Sequence, residues 1–151
     1  MRLYRAIALV LAVSFAVTGV VFLVAPGEVG ALLDRLGIAV GSVLPAADLE
    51  SGLFRALAVA YMYLVTLLAW MMFTRPAEPL WPTLLAHAKL ASAAISLVLF
   101  VSHRPYVVYL VNGLVDGLLG ATALVLRRQA ARGRDREQAG EGQHEHPPVP
   151  A

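Results

Sequence analysis

Residues 6–25 read AIALVLAVSFAVTGVVFLVA and contain no charged side chain. A helix that crosses the hydrocarbon core of a bilayer needs about 20 mostly apolar residues, because its backbone groups must hydrogen-bond within the segment itself. This stretch meets that requirement. Residues 56–74, ALAVAYMYLVTLLAWMMFT, meet it nearly as well. Both stretches are therefore predicted to span a membrane, the second as part of a helix over residues 52–74.

Two further apolar stretches each carry one charged residue. Residues 83–102, TLLAHAKLASAAISLVLFVS, include Lys89, and residues 105–126, PYVVYLVNGLVDGLLGATALVL, include Asp116. With them the sequence predicts an all-α fold, a four-transmembrane-helix bundle over residues 1–127. The helices are expected at about 6–25, 52–74, 83–102 and 105–126.

The overall composition agrees with a lipid environment and excludes several classes of function. Charged residues make up 15% of the 151 residues, against about 25% in soluble domains. The chain has no cysteine, which excludes disulfides, thiolate nucleophiles and cysteine-ligated metal sites. A net charge of +2, without interleaved aromatic and basic residues, does not indicate nucleic acid as a partner.

The distribution of arginine predicts the orientation in the membrane. Cationic flanks tend to remain cytoplasmic. Eight arginines lie on the side of the chain termini, at positions 2, 5, 75, 127, 128, 132, 134 and 136, whereas only Arg35 and Arg104 lie on the other side. Both termini are therefore expected in the cytoplasm, and the acidic loop over about 26–51 is expected outside.

The segments outside the four spans have different predicted structures. In GEVGALLDRLGI the residues Val29, Leu32, Leu33 and Leu36 recur at helical spacing, which is typical of a short interfacial helix. An apolar connection packed on the bundle is the equally weighted alternative. Residues 128–151 are rich in Gly, Pro, Gln and charge and lack apolar periodicity, so a disordered cytoplasmic tail is predicted.

Lys89 and Asp116 are the polar residues with the highest cost in a membrane. Each charge near the midplane costs about 2.5–3.5 kcal/mol on insertion scales. If the turn between the last two helices is centred near residue 104, Lys89 lies level with residue 119, about 4.5 Å along the axis from Asp116. A lysine side chain spans that distance, so a buried contact is predicted.

The helix faces around this pair match each other. Ser92 follows Lys89 on one stripe, and Asn112 precedes Asp116 on the facing stripe. Three small residues, Gly113, Gly117 and Gly120, lie on that same stripe and are expected to permit close helix packing, as small residues do in membranes. Arg55 starts the second helix and is expected at the outer headgroups, paired with Asp48, Glu50 or Glu28.

No catalytic or metal site is predicted. The sequence has no G-x-S-x-G, no phosphate-binding glycine loop and no H-E-x-x-H, and Asp116 has no second intramembrane carboxylate as a partner. An enzyme is not favoured, and no cofactor is predicted from the residues.

The stretches DLESGLFRALAVAYMYL (48–64) and VNGLVDGLLGATAL (111–124) resemble the DoxX-like group of small bacterial membrane proteins, over about residues 5–127. The resemblance implies a four-helix bundle in the bacterial cytoplasmic membrane. Some members are linked to quinone-coupled oxidation or to membrane redox complexes. No family catalytic residue matches a position of this chain.

Two hypotheses for function follow. In the first, the protein is a non-enzymatic accessory or structural membrane component, alone, as a homo-oligomer or in a larger complex, and Lys89 and Asp116 hold the bundle together. In the second, a polar cavity near Arg55, Lys89 and Asp116 handles a proton, an anion, a quinone headgroup or a lipid.

Overall fold

The computed structural model describes residues 2–39, 52–102 and 106–144, and these residues form five helices. The expected acidic partners of Arg55 at Asp48 and Glu50, and the last part of the tail, lie outside the described residues. The helices in chain order are α1 (Arg2–Val24), α2 (Pro26–Ala39), α3 (Gly52–Thr74), α4 (Leu80–Ser102) and α5 (Val107–His144).

Four of these helices are long and apolar enough to cross a membrane, which confirms the predicted all-α bundle. The candidate spans are Arg2–Val24, Arg55–Thr74, Leu80–Ser102 and Val107–Arg132. α1 and α4 begin a few residues earlier than their apolar stretches, because a helix continues past the hydrocarbon into the interface. Pro82 is compatible with the start of α4, since the N–H groups of a first helical turn have no partner within the helix.

The segment after α1 is helical, as the spacing of its leucines predicts. The Ala25 amide still donates to the Val21 carbonyl at 2.9 Å, and α2 then begins at Pro26. Proline suits the first position of a helix, since it lacks an N–H and its φ is already helical. α2 therefore follows α1 after a single non-helical residue and packs on it and on α5.

The last helix differs from the expectation. α5 runs on to His144, so residues 128–144 are helical where a disordered tail was predicted. This stretch contains alanine, arginine, glutamine and glutamate, which are good helix formers even without an apolar face. Once α5 is nucleated in the bundle, adding residues to its end needs no new nucleus.

The bundle consists of two tightly packed helix pairs. α1 packs mainly on α3, and α4 mainly on α5, with fewer contacts between α3 and α4. Small side chains dominate the core, which lets the helix axes approach closely. Its buried apolar members include Ala8, Ala12, Phe15, Val65, Ala69, Met72, Leu85, Ala86, Ala93, Ala123, Leu126 and Ala130.

Aliphatic side chains cover much of the outer surface of the bundle. Val13, Val17, Leu64, Ile95 and Leu118 are among the large apolar residues exposed on the spans. Such a surface is stable when hydrocarbon surrounds it, because lipid chains are as apolar as leucine. The fold is therefore that of a multi-pass membrane protein.

Candidate functional site: a buried ion pair

The predicted contact between the two intramembrane charges is present. Lys89 Nζ donates a hydrogen bond to Asp116 Oδ1 at 2.8 Å. Lys89 is 1% exposed and Asp116 is 3% exposed. Each charge would be costly alone at this depth, and their proximity offsets part of that cost. This ion pair confirms the antiparallel register that was inferred from the positions of Lys89 and Asp116.

Two aromatic rings enclose the ammonium group from the other helix pair. Lys89 Nζ lies 4.7 Å from the ring centroid of Phe15 on α1 and 4.8 Å from that of Tyr61 on α3. Both distances are within the range of cation–π attraction, which is stronger when the cation is desolvated. The ammonium carried by α4 is therefore contacted by side chains from the other three spanning helices.

Hydrogen bonds extend the polar contacts along the same interfaces. On α5, Asn112 Nδ2 donates to Ser96 Oγ at 2.8 Å and to Ser92 Oγ at 3.3 Å, both on α4. The Tyr61 hydroxyl donates to the Ala88 carbonyl at 3.1 Å and so joins α3 to α4. We call Phe15, Tyr61, Lys89, Ser92, Ser96, Asn112 and Asp116 the polar cluster.

The glycines of α5 lie at the closest approach of α5 to α4. A Cβ atom added at Gly120 would lie 2.7 Å from Leu90 Cγ, and one at Gly113 would lie 2.9 Å from Leu97 Cγ. Gly117 differs, because its nearest neighbour would be Ala93 Cβ at 3.9 Å, an ordinary contact distance. The absence of a side chain at Gly113 and Gly120 thus allows the spacing at which the ion pair forms.

Arg55 is not part of the polar cluster. Its side chain is exposed, and it precedes Tyr61 by six residues, about 9 Å along the helix axis. The structure shows an open groove of about 250 Å³ between α1 and α3. A second groove of about 300 Å³ lies between α1 and α2. Neither groove is lined by Arg55, Lys89 or Asp116.

One atom of the ion pair lacks a protein partner. Asp116 Oδ2 is buried and accepts no hydrogen bond from the described residues. The Tyr4 hydroxyl, near the start of α1, and Trp81 Nε1, near the start of α4, are also buried without partners among those residues. A buried carboxylate oxygen without a donor carries a desolvation penalty. Asp116 Oδ2 is therefore a buried acceptor in the polar cluster to which a further donor can hydrogen-bond.

The chemistry available to the polar cluster is limited. Among residues 2–39, 52–102 and 106–144, no three His, Cys, Asp or Glu side chains lie close enough to hold a metal ion. The polar cluster contains one acid and one amine, both engaged with each other. It can hold helices together, and it can bind a hydrogen-bond donor at Asp116.

Sequence reasoning identified the polar residues on α4 and α5 but missed Phe15 and Tyr61. A helix that is apolar all round has no polar face to indicate which side points into the bundle. The available signal was the need for aromatic or polar groups around a buried ammonium.

The bundle has four candidate membrane spans, and an ion pair joins α4 to α5. These features define the class of this protein, which is a multi-pass membrane protein. Comparisons with protein-family models, with curated proteins and with solved structures gave no match to this chain.

Proposed function

We propose that the protein is a non-enzymatic structural or accessory component of a bacterial cytoplasmic membrane, in which the polar cluster fixes how four helices pack. The observation that carries the proposal is the enclosure of Lys89. Its ammonium is bonded to Asp116 and covered by Phe15 and Tyr61. A side chain held in this way contributes to the packing of its neighbours, and it leaves little room for a substrate.

The proposed orientation places both termini in the cytoplasm. An even number of spans puts both ends of the chain on the same side. The arginines of that side, at the start of α1, in the α3–α4 connection and at the end of α5, favour the cytoplasm by the positive-inside rule. The bacterial source follows from the resemblance to DoxX-like proteins and belongs to the same proposal.

Replacing the ion pair tests the structural role. Removing one partner leaves an uncompensated buried charge, so Lys89→Leu or Asp116→Leu alone is expected to cost about 3–5 kcal/mol of unfolding free energy. The double variant with leucine at both positions is expected to be clearly more stable than either single variant, because no charge remains buried. Reversible unfolding in detergent micelles gives the unfolding free energies of the wild type, the two single variants and the double variant, which together form a double-mutant cycle.

Arg55→Gln is the matched control, because it removes a charge that is exposed. Its unfolding free energy is expected to lie within about 0.5 kcal/mol of the wild-type value. The double-leucine variant should also rescue whatever cellular defect follows deletion of the gene. A loss in the double variant equal to the sum of the two single losses would show that the two groups act independently, and would contradict a compensating pair.

A second function, proton or small-molecule handling, is favoured by one observation. Asp116 Oδ2 is buried and has no partner among the described residues, so it can accept a hydrogen bond from a ligand. In that case the double-leucine variant folds but fails to rescue the deletion. Native mass spectrometry of the detergent-purified protein then detects a bound quinone or lipid that the double variant lacks.

A further inference from the structure

The groove between α1 and α2 differs from the one between α1 and α3, because charged side chains line it. Its volume is about 300 Å³, and its lining includes Glu28 and Arg35 of α2. The remaining lining residues are apolar, namely Val21, Val29, Ala31 and Leu32. Both charged residues are exposed, and neither has an ion-pair partner among the described residues. The groove therefore presents one negative and one positive charge beside apolar walls.

Helix geometry explains why these two charges do not pair with each other. Glu28 and Arg35 are seven residues apart, which places them on the same face of α2 but about 10 Å apart along its axis. A partner with a single charge attracts one of them and is repelled by the other. A partner that carries an anionic and a cationic group a few bonds apart can form charge-assisted hydrogen bonds with both side chains.

The groove lies where the α1 span ends. Val21 is three residues before the end of the candidate span Arg2–Val24, about 4.5 Å along the axis, and α2 begins at Pro26. Hydrocarbon gives way to lipid headgroups at the end of a span. Val17 and Val13 follow Val21 on the same exposed face of α1, towards the middle of the span. We call these three residues the valine stripe, and it leads from the groove into the hydrocarbon.

We propose that the α1–α2 groove binds one phospholipid with a phosphoethanolamine headgroup. Arg35 donates hydrogen bonds to the phosphate, Glu28 accepts hydrogen bonds from the primary ammonium, and an acyl chain lies along the valine stripe. Phosphatidylcholine carries the same two charges, but its quaternary ammonium has no N–H to donate. Phosphatidylglycerol has no cation for Glu28. An acid and a base in one groove therefore favour phosphatidylethanolamine over both.

Photo-crosslinking in mixed micelles of lipid and detergent tests the proposal. Phosphatidylethanolamine with a diazirine in one acyl chain should label residues 13–35, and unlabelled lipid should compete for that label. We expect unlabelled phosphatidylethanolamine to compete about tenfold better than phosphatidylcholine or phosphatidylglycerol, the effect of one hydrogen bond to a charged group. Mass spectrometry of the digested protein locates and quantifies the label.

Substitutions in the groove separate the two headgroup contacts. Glu28→Gln should remove most of the preference for phosphatidylethanolamine. Arg35→Gln should weaken competition by all three lipids, because each of them carries a phosphate. Glu28→Lys leaves two positive charges in the groove and should shift the preference to phosphatidylglycerol. Arg55→Gln, the matched loss of an exposed charge at the start of α3, should change none of these affinities.

Several outcomes would overturn the proposal. One is equal competition by the three lipids in the wild type, or stronger competition by phosphatidylglycerol. Another is an unchanged preference in Glu28→Gln, which would show that the carboxylate does not contact the headgroup. Competable label found only outside residues 13–35 would place the lipid elsewhere on the protein. A dimer without label in these residues would show that a second copy of the chain fills the groove instead.

Discussion

At the scale of single residues, the ammonium of Lys89 joins the two helix pairs. Its salt bridge to Asp116 lies within the α4–α5 pair, whereas its cation–π contacts reach Phe15 and Tyr61 on the α1–α3 pair. The same residue therefore stabilises the packing within one pair and between the two pairs. This dual contact explains why a costly lysine is compatible with a bundle that otherwise buries apolar residues.

A hydrophobic carbodiimide tests the contact between Lys89 and Asp116 in the intact membrane. The reagent activates the Asp116 carboxyl, the Lys89 amine displaces the urea, and an amide forms with net loss of one water from the chain. We expect this cross-link between the two segments because the reacting groups lie 2.8 Å apart. Mass spectrometry of the digested protein detects it.

Asp116→Asn serves as the control for the cross-link, because an amide is not activated by the reagent. Lys89→Arg retains a cation but lacks the attacking amine, so it should also give no cross-link. A wild-type protein in which Asp116 reacts but remains unlinked to Lys89 would show that the two groups are apart.

The sequence predicted these two charges because each is costly alone and each has a counterpart at matching depth. It also placed Ser92 and Asn112 on facing stripes, and the structure joins them at 3.3 Å. The aromatic rings were missed because van der Waals and cation–π partners leave no periodic trace in an apolar helix.

At the scale of helices, the packing of α4 on α5 depends on where glycine is needed. Gly113, Gly117 and Gly120 share a stripe, yet their surroundings differ. A Cβ at Gly120 would lie 2.7 Å from Leu90 Cγ and 3.3 Å from the Leu90 backbone nitrogen. A Cβ at Gly117 would meet nothing closer than 3.9 Å.

Alanine substitutions of these glycines should therefore differ. Gly120→Ala is expected to destabilise the protein by about 1–3 kcal/mol, the usual cost of overpacking. Gly117→Ala is expected to be neutral, or stabilising by up to about 1 kcal/mol through its higher helix propensity. The free energy of unfolding in micelles measures both. Equal destabilisation by both substitutions would show that α4 and α5 pack in another register.

The ends of the helices were harder to predict than their existence. Hydropathy identifies the part of a helix that lies in hydrocarbon, and it located four such parts. It does not identify a helix that continues into water, as α5 does to His144. There the helix depends on residue propensity and on the preceding turn, neither of which produces an apolar pattern.

Taken together, the four long apolar helices surround a buried ion pair, as expected for a protein whose helices cross a membrane four times. The connections on the two sides then lie in different compartments. Gly27, at the start of α2, should face outside, and Ala77, in the α3–α4 connection, should face the cytoplasm. Both positions lie outside the four candidate spans.

The most direct test is labelling of single-cysteine variants with a membrane-impermeant maleimide, in a chain that has no cysteine of its own. Gly27→Cys should react in intact spheroplasts, Ala77→Cys should react only after the membrane is opened, and Ala93→Cys, buried at the α4–α5 contact, should react in neither condition. Labelling of positions 27 and 77 from the same side, or recovery of the unlabelled protein in the soluble fraction without detergent, would contradict a bundle of four membrane-spanning helices.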